Sequence, residues 1–318
     1  MKKRYYLILV IVMTIVAALA CYFFIFKSVF PTCAPIPFRC LFDMDIVYTW
    51  ADGTDQKWWL DKQSYQNPEV SRNDHERWPI TSGKPELYYS LKSIYKFFPH
   101  FKKVWIVTQR PQIPSFLHEF DSRITVVHHD EIFDEVSIQP TYNSHVIESN
   151  LHNIPGLSEH FIYMNDDIIL AKPCDPWHFF NVNKFPIYYG SISSSLILLG
   201  IGQYPSVWKN TYKYISDKVS IPKIYMPHHG PIAMLKSSIA NVQHALHETK
   251  KNRFRTSRDL PPIGLAAHVA ALENRHFMYT NEPIKHYYSG ESALTHKPDA
   301  HVVCMNALKD SRSLEILI

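Results

Sequence analysis

Runs of apolar residues divide the chain into short predicted elements. Residues 45–50, DIVYTW, read as a short buried strand ending in the turn ADGTD. Residues 85–98 read as a helix. Pro85 suits a first helical position, and Leu87, Leu91, Ile94, Tyr95 and Phe98 recur at helical spacing. KVWIVT over 103–108 and RITVVH over 123–128 are two further strands. Residues 144–154 predict a short helix with Asn143 or Ser144 as its N-cap, and 160–167 a fourth strand. Strands that alternate with helices predict an α/β fold with a mostly parallel sheet. From about Pro186 the pattern changes. SISSSLILLG is apolar but short, 208–216 mixes aromatic and polar residues, and 237–250 reads as a helix. Pro261-Pro262 ends whatever precedes it, and no sheet order is legible in this half.

The N-terminus adds a segment of another kind. YYLILVIVMTIVAALACYFFIF, residues 5–26, carries no charge and is long enough to cross a bilayer core of about 30 Å. Lys2, Lys3 and Arg4 precede it, which puts the N-terminus in the cytoplasm. The apolar part of a cleaved signal peptide spans about 7–15 residues and ends in small ones; this run is longer and ends in Tyr22-Phe23-Phe24. The expected organisation is a tail over 1–4, a transmembrane helix over 5–26, a stem over 27–44 and a catalytic domain over 45–318. That domain would lie in a lumen or outside the cell, in a single-pass type II membrane protein. The Golgi suits it best, with a bacterial inner membrane as the alternative.

Composition narrows the function. The chain has 318 residues, 46% hydrophobic and 19% charged, as a globular protein does. A formal net charge of +4 is too small to argue for nucleic acid. Of the five cysteines, Cys33 and Cys40 could close a small loop in an oxidising compartment, and the pairing of Cys174 and Cys304 is not derivable.

In an open α/β sheet, ligands bind beyond the carboxyl ends of the strands. Asp52, Gly53 and Asp55 follow one strand, and Asn165, Asp166 and Asp167 end another. Adjacent strand-end carboxylates suit a hard cation such as Mg²⁺ or Mn²⁺; a solvated Asn-Asp-Asp turn is the other reading. In YMPHHGP, prolines bracket His228 and His229, which stiffens the backbone around an imidazole able to act as a general base. The alternative is a surface loop. NRFRTSRD gathers Arg253, Arg255 and Arg258, whose forks match phosphate oxygens, unless they form a solvated face. Together these groups suggest phosphoryl transfer from a phosphate-bearing donor.

Four stretches carry a family resemblance: DIVYTWADGTD, ELYYSLKSIYKFFPHFKKVWIVTQRPQIPSFL, TYNSHVIESNLHNIPGLSEHFIYMNDDIIL and HVVCMNALKD. They resemble the conserved regions of the Stealth family. That family includes bacterial capsule polysaccharide phosphotransferases and the catalytic subunit of the Golgi GlcNAc-1-phosphotransferase. The resemblance implies a nucleotide-sugar-transferase-like fold (GT-A or Rossmann-like). It also implies transfer of a sugar 1-phosphate from a UDP-sugar, usually UDP-GlcNAc, to an acceptor hydroxyl, with UMP leaving. Tyr48, Trp50, Asp52 and Gly53 would then line the nucleotide-sugar site. Arg77 and Glu86 match the start of the second region, and Asn143 and Ser144 would approach the donor. Asp166 and Asp167 would serve the metal or the reacting phosphate. His228 matches the family's base, Arg255 the arginine that follows it, and Asn306 the asparagine of the last region. The implied partners are a UDP-sugar donor, a glycan or polysaccharide acceptor and the membrane, with a homodimer left open. Three positions depart from the pattern. Tyr88 and Lys92 stand where arginines are usual, and Ala307 stands where an aspartate is. The inserted modules of the lysosomal-tagging enzyme are absent, which favours a glycan acceptor.

Overall fold

Buried aliphatic strands form the centre of the computed structural model, which describes residues 42–66, 84–192, 203–218, 224–279, 286–289, 296–305 and 312–318. The chain divides into Met1–Phe42 and Asp43–Ile318, and all that follows concerns the second unit. In chain order its elements are β1 (Met44–Thr49), α1 (Gln56–Tyr65), α2 (Glu86–Phe97), β2 (Val104–Thr108), β3 (Ile124–His128), α3 (Ser144–Ser149), β4 (His160–Asn165), β5 (Ile168–Leu170), β6 (Ile187–Ile192), α4 (Gln203–Ser216), β7 (Tyr225–Pro227), β8 (Ile232–Leu235), α5 (Lys236–Asn241), α6 (Pro262–Leu272), β9 (Phe277–Tyr279), β10 (His286–Ser289), β11 (Val302–Met305) and α7 (Arg312–Leu317), with short helical turns between them.

The main sheet has the order β3-β2-β1-β4-β8. Its first four strands are parallel and β8 runs antiparallel to β4. β1, β2 and β4 are buried along almost their whole length, as strands covered on both faces must be, whereas the edge strand β3 is half-buried. The mostly parallel α/β sheet expected from the pattern is therefore present. One core cluster joins Val47, Trp105 and Phe161 of this sheet to Leu151 and to Leu265 of α6. A second cluster, with Tyr89, Ile169, Val303 and Leu314, seats α2 and α7 on a smaller sheet of order β10-β11-β5. A third sheet, β7-β6-β9, carries the His228 segment.

Several expectations change. No helix among the described residues is long and apolar enough to cross a membrane. The transmembrane helix is therefore corrected out of the fold class, and the segment over 5–26 that suggested it lies outside the described residues. The strand over 160–167 stops at Asn165, because Asp166 and Asp167 turn the chain into β5. The helix over 144–154 is shorter and yields to a 3-10 turn at Leu151–Asn153, with Asn143 as N-cap accepting from the His145 N–H at 3.0 Å. The helix over 237–250 breaks at Val242, which caps α5 at φ −102° and ψ 7°, and Gln243 donates back to the Ile239 carbonyl at 2.8 Å. Pro261-Pro262 opens a helix instead of closing one: Pro262 is at the first turn of α6, where its missing N–H costs nothing. Cys174 and Cys304 are both free and buried; Cys33 and Cys40 lie outside the described residues.

Gly190 is fixed by close approach. It pairs with Pro227 across β6 and β7, and a Cβ there would sit 2.3 Å from the Met226 carbonyl oxygen. Gly190→Ala should cost on the order of 1–3 kcal/mol by overpacking, read as a lowered Tm. An unchanged Tm would mean that β7 shifts freely, and with it the chain leading to His228.

Candidate functional site

β1 and β4 are parallel neighbours with Thr49 opposite Asn165, so their carboxyl ends meet at one rim of the sheet. The loop 50–55 leaves β1 there, and Asp166-Asp167 leaves β4. The two aspartates are a turn and a strand end at once. They join β4 of the main sheet to β5 of the smaller one, and the Met305 N–H donates to the Asp167 carbonyl at 2.9 Å. Beneath them α2 holds β5: Ser90 donates to the Ile168 carbonyl, and the Leu170 N–H donates to Ser93 Oγ at 3.0 Å. Ser90's proton being committed, Tyr48 donates to Ser90 Oγ at 2.7 Å. Tyr48 has no exposed surface. Burial, with the Asp166 charge beyond, pushes its phenol well above the ordinary value.

Asp166 and Asp167 are half-buried and Asn165 is exposed. Burial, then the charges of Asp167 and Glu86, push the Asp166 carboxyl well above the usual range. Burial also raises Asp167, against a hydrogen bond from Cys304 and the charge of His229. The Cys304 thiol donates to Asp167 Oδ2 at 3.4 Å, while Asp167 Oδ1 is buried and meets no hydrogen-bond partner. Burial raises Glu86 as well, with the Asp167 charge adding to it. Three carboxyl groups thus repel one another at this rim. Among the described residues, however, no three His, Cys, Asp or Glu side chains are placed to hold a metal ion.

The loop after β1 is shaped by its own polar groups. Asp52 Oδ1 accepts from the Thr54 N–H at 2.9 Å and the Thr54 hydroxyl at 2.6 Å. Asp55 caps α1, and Trp59 Nε1 donates to the Gly53 carbonyl. Gln112 clamps the loop from β2's side, accepting from the Asp52 N–H at 2.9 Å and donating to Asp55 Oδ2 at 3.1 Å. Trp50, Asp52 and Gly53 are all half-buried at the rim.

A second loop brings in the arginines. Arg255 is exposed and donates to Ser144 Oγ at the start of α3. Its backbone is set by Asp259, which is fully buried. Asp259 Oδ2 accepts from Asn143 Nδ2 at 2.9 Å and the Thr256 N–H at 3.1 Å, and lies 3.3 Å from His145 Nδ1. Oδ1 accepts from Asn252 Nδ2 at 2.7 Å and Thr256 Oγ1 at 2.8 Å. Asn143 is therefore held as a structural clasp between α3 and this loop. Tyr163 of β4 ties the end of β1 to α3 at the rim. Its hydroxyl lies 3.0 Å from Thr49 Oγ1, 3.0 Å from Asn165 Oδ1 and 3.2 Å from Glu148 Oε1. Burial and the Glu148 charge push its phenol up, and the Arg255 charge pulls it back. Arg253 is spent elsewhere, on the Pro140 carbonyl and over the Tyr65 ring.

His228 is half-buried just past β7, and its N–H donates to the Tyr189 carbonyl at 3.1 Å. His229 is exposed, and it is His229 whose charge reaches Asp167. Arg77, Asn306 and Ala307 lie outside the described residues. Tyr88, in place of a family arginine, donates to Glu119 at 2.9 Å within an aromatic cluster with Phe116 and Phe120. Sequence reasoning passed over Ser90, Gln112, Asp259 and Cys304. All four stand in stretches quoted above, as Glu148 does, but only their contacts, such as that of Glu148 with Tyr163, mark them as part of the site.

Residues 81–187 match Stealth protein CR2, conserved region 2. The capsular polysaccharide phosphotransferase fcs1 of Haemophilus influenzae is 44% identical over 164 residues, covering 50% of this chain and 42% of that protein. The exopolysaccharide phosphotransferase SCO2594 of Streptomyces coelicolor is 31% identical over 299 residues, covering 86% of this chain and 48% of that one. The chain thus spans about half the length of these curated relatives. A solved structure of the galactosyltransferase LgtC with donor and acceptor sugar analogues is similar at a TM-score of 0.43 and 10% identity, over 82% of this chain and 87% of that one. The conserved region includes α2 with Glu86, the Asn143-Ser144 start of α3 and the aspartates at the end of β4, and on that match and these relatives the chain belongs to the Stealth family.

Proposed function

We propose that the chain is a phosphotransferase that moves a sugar 1-phosphate, with UDP-GlcNAc as the expected donor, onto a hydroxyl of a glycan and releases UMP. The observation that carries this reading is the aspartate pair at the carboxyl end of β4, beside the end of β1, with Arg255 held on Ser144 at the start of α3. The phosphotransferase names of the relatives support the same chemistry. The acceptor oxygen attacks the β-phosphorus of the donor, the bond from that phosphorus to the bridging oxygen breaks, and UMP leaves with the electron pair. His228 takes the acceptor proton. Arg255 and Ser144 hold donor phosphate oxygens, a task suited to a guanidinium fork. Trp50, Asp52 and Gly53 line the donor at the rim, and Tyr48 supports the acids from beneath.

Mg²⁺ or Mn²⁺ fits the aspartate pair in kind: both groups offer oxygen, one oxygen is unpartnered, and their repulsion is relieved by a cation. A pair with no third His, Cys, Asp or Glu placed beside it among the described residues would suit an ion that also meets substrate phosphates. Held there by Asp166 and Asp167, such an ion would supply positive charge for the transferred phosphoryl group.

The test is product analysis with UDP-GlcNAc, Mg²⁺ and glycan acceptors. UMP is expected. UDP would identify a glycosyltransferase that breaks the sugar–oxygen bond, and donor binding without turnover a non-catalytic relative. Asp167→Asn should raise the Mg²⁺ concentration needed for half-maximal rate, since an amide is a poorer ligand for a hard cation. An unchanged Mg²⁺ dependence would remove Asp167 from that role.

A further inference from the structure

We propose that Cys304 is a positioning residue for Asp167, its thiol tying down one carboxylate oxygen and leaving the other, which has no protein partner, for a cation to meet. The inference rests on the reading of Asp167 as a cation ligand. Cys304 stands in the middle of β11, opposite Ile168 of β5 in antiparallel register. The next residue, Met305, donates its N–H to the Asp167 carbonyl at 2.9 Å. Backbone and side chain of Asp167 are therefore held from the same strand. The thiol is 1% exposed and unpaired with any other cysteine, and its sulfur lies 3.4 Å from Oδ2. Oδ1 has no hydrogen-bond partner.

A carboxylate gripped at one oxygen loses freedom about its last torsion, so the ungripped oxygen presents one lone-pair geometry. Hydrogen bonds of this kind orient ligating carboxylates at metal centres. A thiol is a weak donor, so it orients the group without competing for the charge that a cation needs. Were Cys304 only a small core hydrophobe, loss of its S–H would leave the chemistry of Asp167 untouched.

Mn²⁺ binding to the full chain, followed by electron paramagnetic resonance, separates these roles. Wild type and Cys304→Ser, which keeps a donor, should bind alike, whereas Cys304→Ala and Cys304→Val should bind about 10–100-fold more weakly. Thermal unfolding of each variant monitors the core, and the alanine variant remains informative if valine does not fit. Wild-type Mn²⁺ affinity in the folded donor-less variants would overturn the inference. So would an equal loss in the serine and alanine variants, because the donor would then be irrelevant. If wild type binds Mn²⁺ no better than Asp167→Asn, the cation reading of Asp167 fails, and this inference falls with it.

Discussion

Replacing His228 by alanine is expected to lower kcat by about 10²–10⁴-fold, the range for loss of a general base. The fold's hold on this residue that alanine preserves is a backbone one: the His228 N–H donates to the Tyr189 carbonyl at 3.1 Å. Turnover should fall by far more than any change in Tm accounts for, a separation that a purely structural histidine would not give. The pH profile carries a second signature. An imidazole titrates near neutral pH and must be neutral to accept a proton, so the acidic limb of kcat/KM should flatten in the variant. His229 supplies the control. It is exposed and acts on Asp167 through charge, so His229→Ala should alter Mg²⁺ dependence more than the proton-transfer limb. Near-normal turnover in His228→Ala would transfer the base role to another group at the rim.

The first half of the fold was legible because its strands are nearly continuous apolar runs. β1, β2 and β4 are buried on both faces, so apart from Asp45 near the start of β1 their polar residues stand only at strand ends, and flanking turns mark those ends. α2 was legible because one face is buried and the other is polar. α6 was not, for the opposite reason: eight of its residues are buried, so it has no polar stripe and no period to read. Its Gly264, which looks like a breaker, is a packing choice; a Cβ there would lie 2.5 Å from the Trp208 ring. The helix over 237–250 misled because Ile239, Val242 and Leu246 keep helical spacing across the break at Val242, so the pattern carries no sign of it. At the site, the two readings of Asp166-Asp167 did not exclude each other: the turn between two sheets is what sets both acids at the rim. Cys304 gave no signal, since a thiol inside an apolar strand looks like any small core residue. Asp259 gave a misleading one. It stands at the end of a basic run, while the partners that make it central, Asn143 and His145, are 116 and 114 residues away.

Removing the Asp259 carboxylate should accordingly have the largest effect on stability, about 3–5 kcal/mol for Asp259→Ala, because several buried donors lose their acceptor at once at about 1–3 kcal/mol each. Asparagine should rescue little. The donors of Asn143, His145 and the Thr256 N–H crowd one oxygen, and Asn252 faces the other, so either orientation of an amide sets an N–H against an N–H. The pH dependence follows from the direction of the shift. Burial alone would raise this carboxyl, but hydrogen bonds from His145, Thr256 and Asn143 outweigh it and hold the folded pKa below the ordinary 3.8. A depressed folded pKa contributes stability that is present above 3.8 and lost as pH falls through the lower folded value. The gap between wild type and Asp259→Ala in chemical unfolding should therefore be full at neutral pH and narrow on strong acidification. Activity should fall along with stability, because the same carboxylate fixes the loop that carries Arg255 to Ser144. A variant of near-wild-type stability would show that the loop is held instead by its backbone bonds to 140–142, where the Tyr142 N–H donates to the Arg253 carbonyl at 2.9 Å. In that case Arg255 would keep its place and turnover would survive, so the two measurements must move together if Asp259 is the hub of this loop.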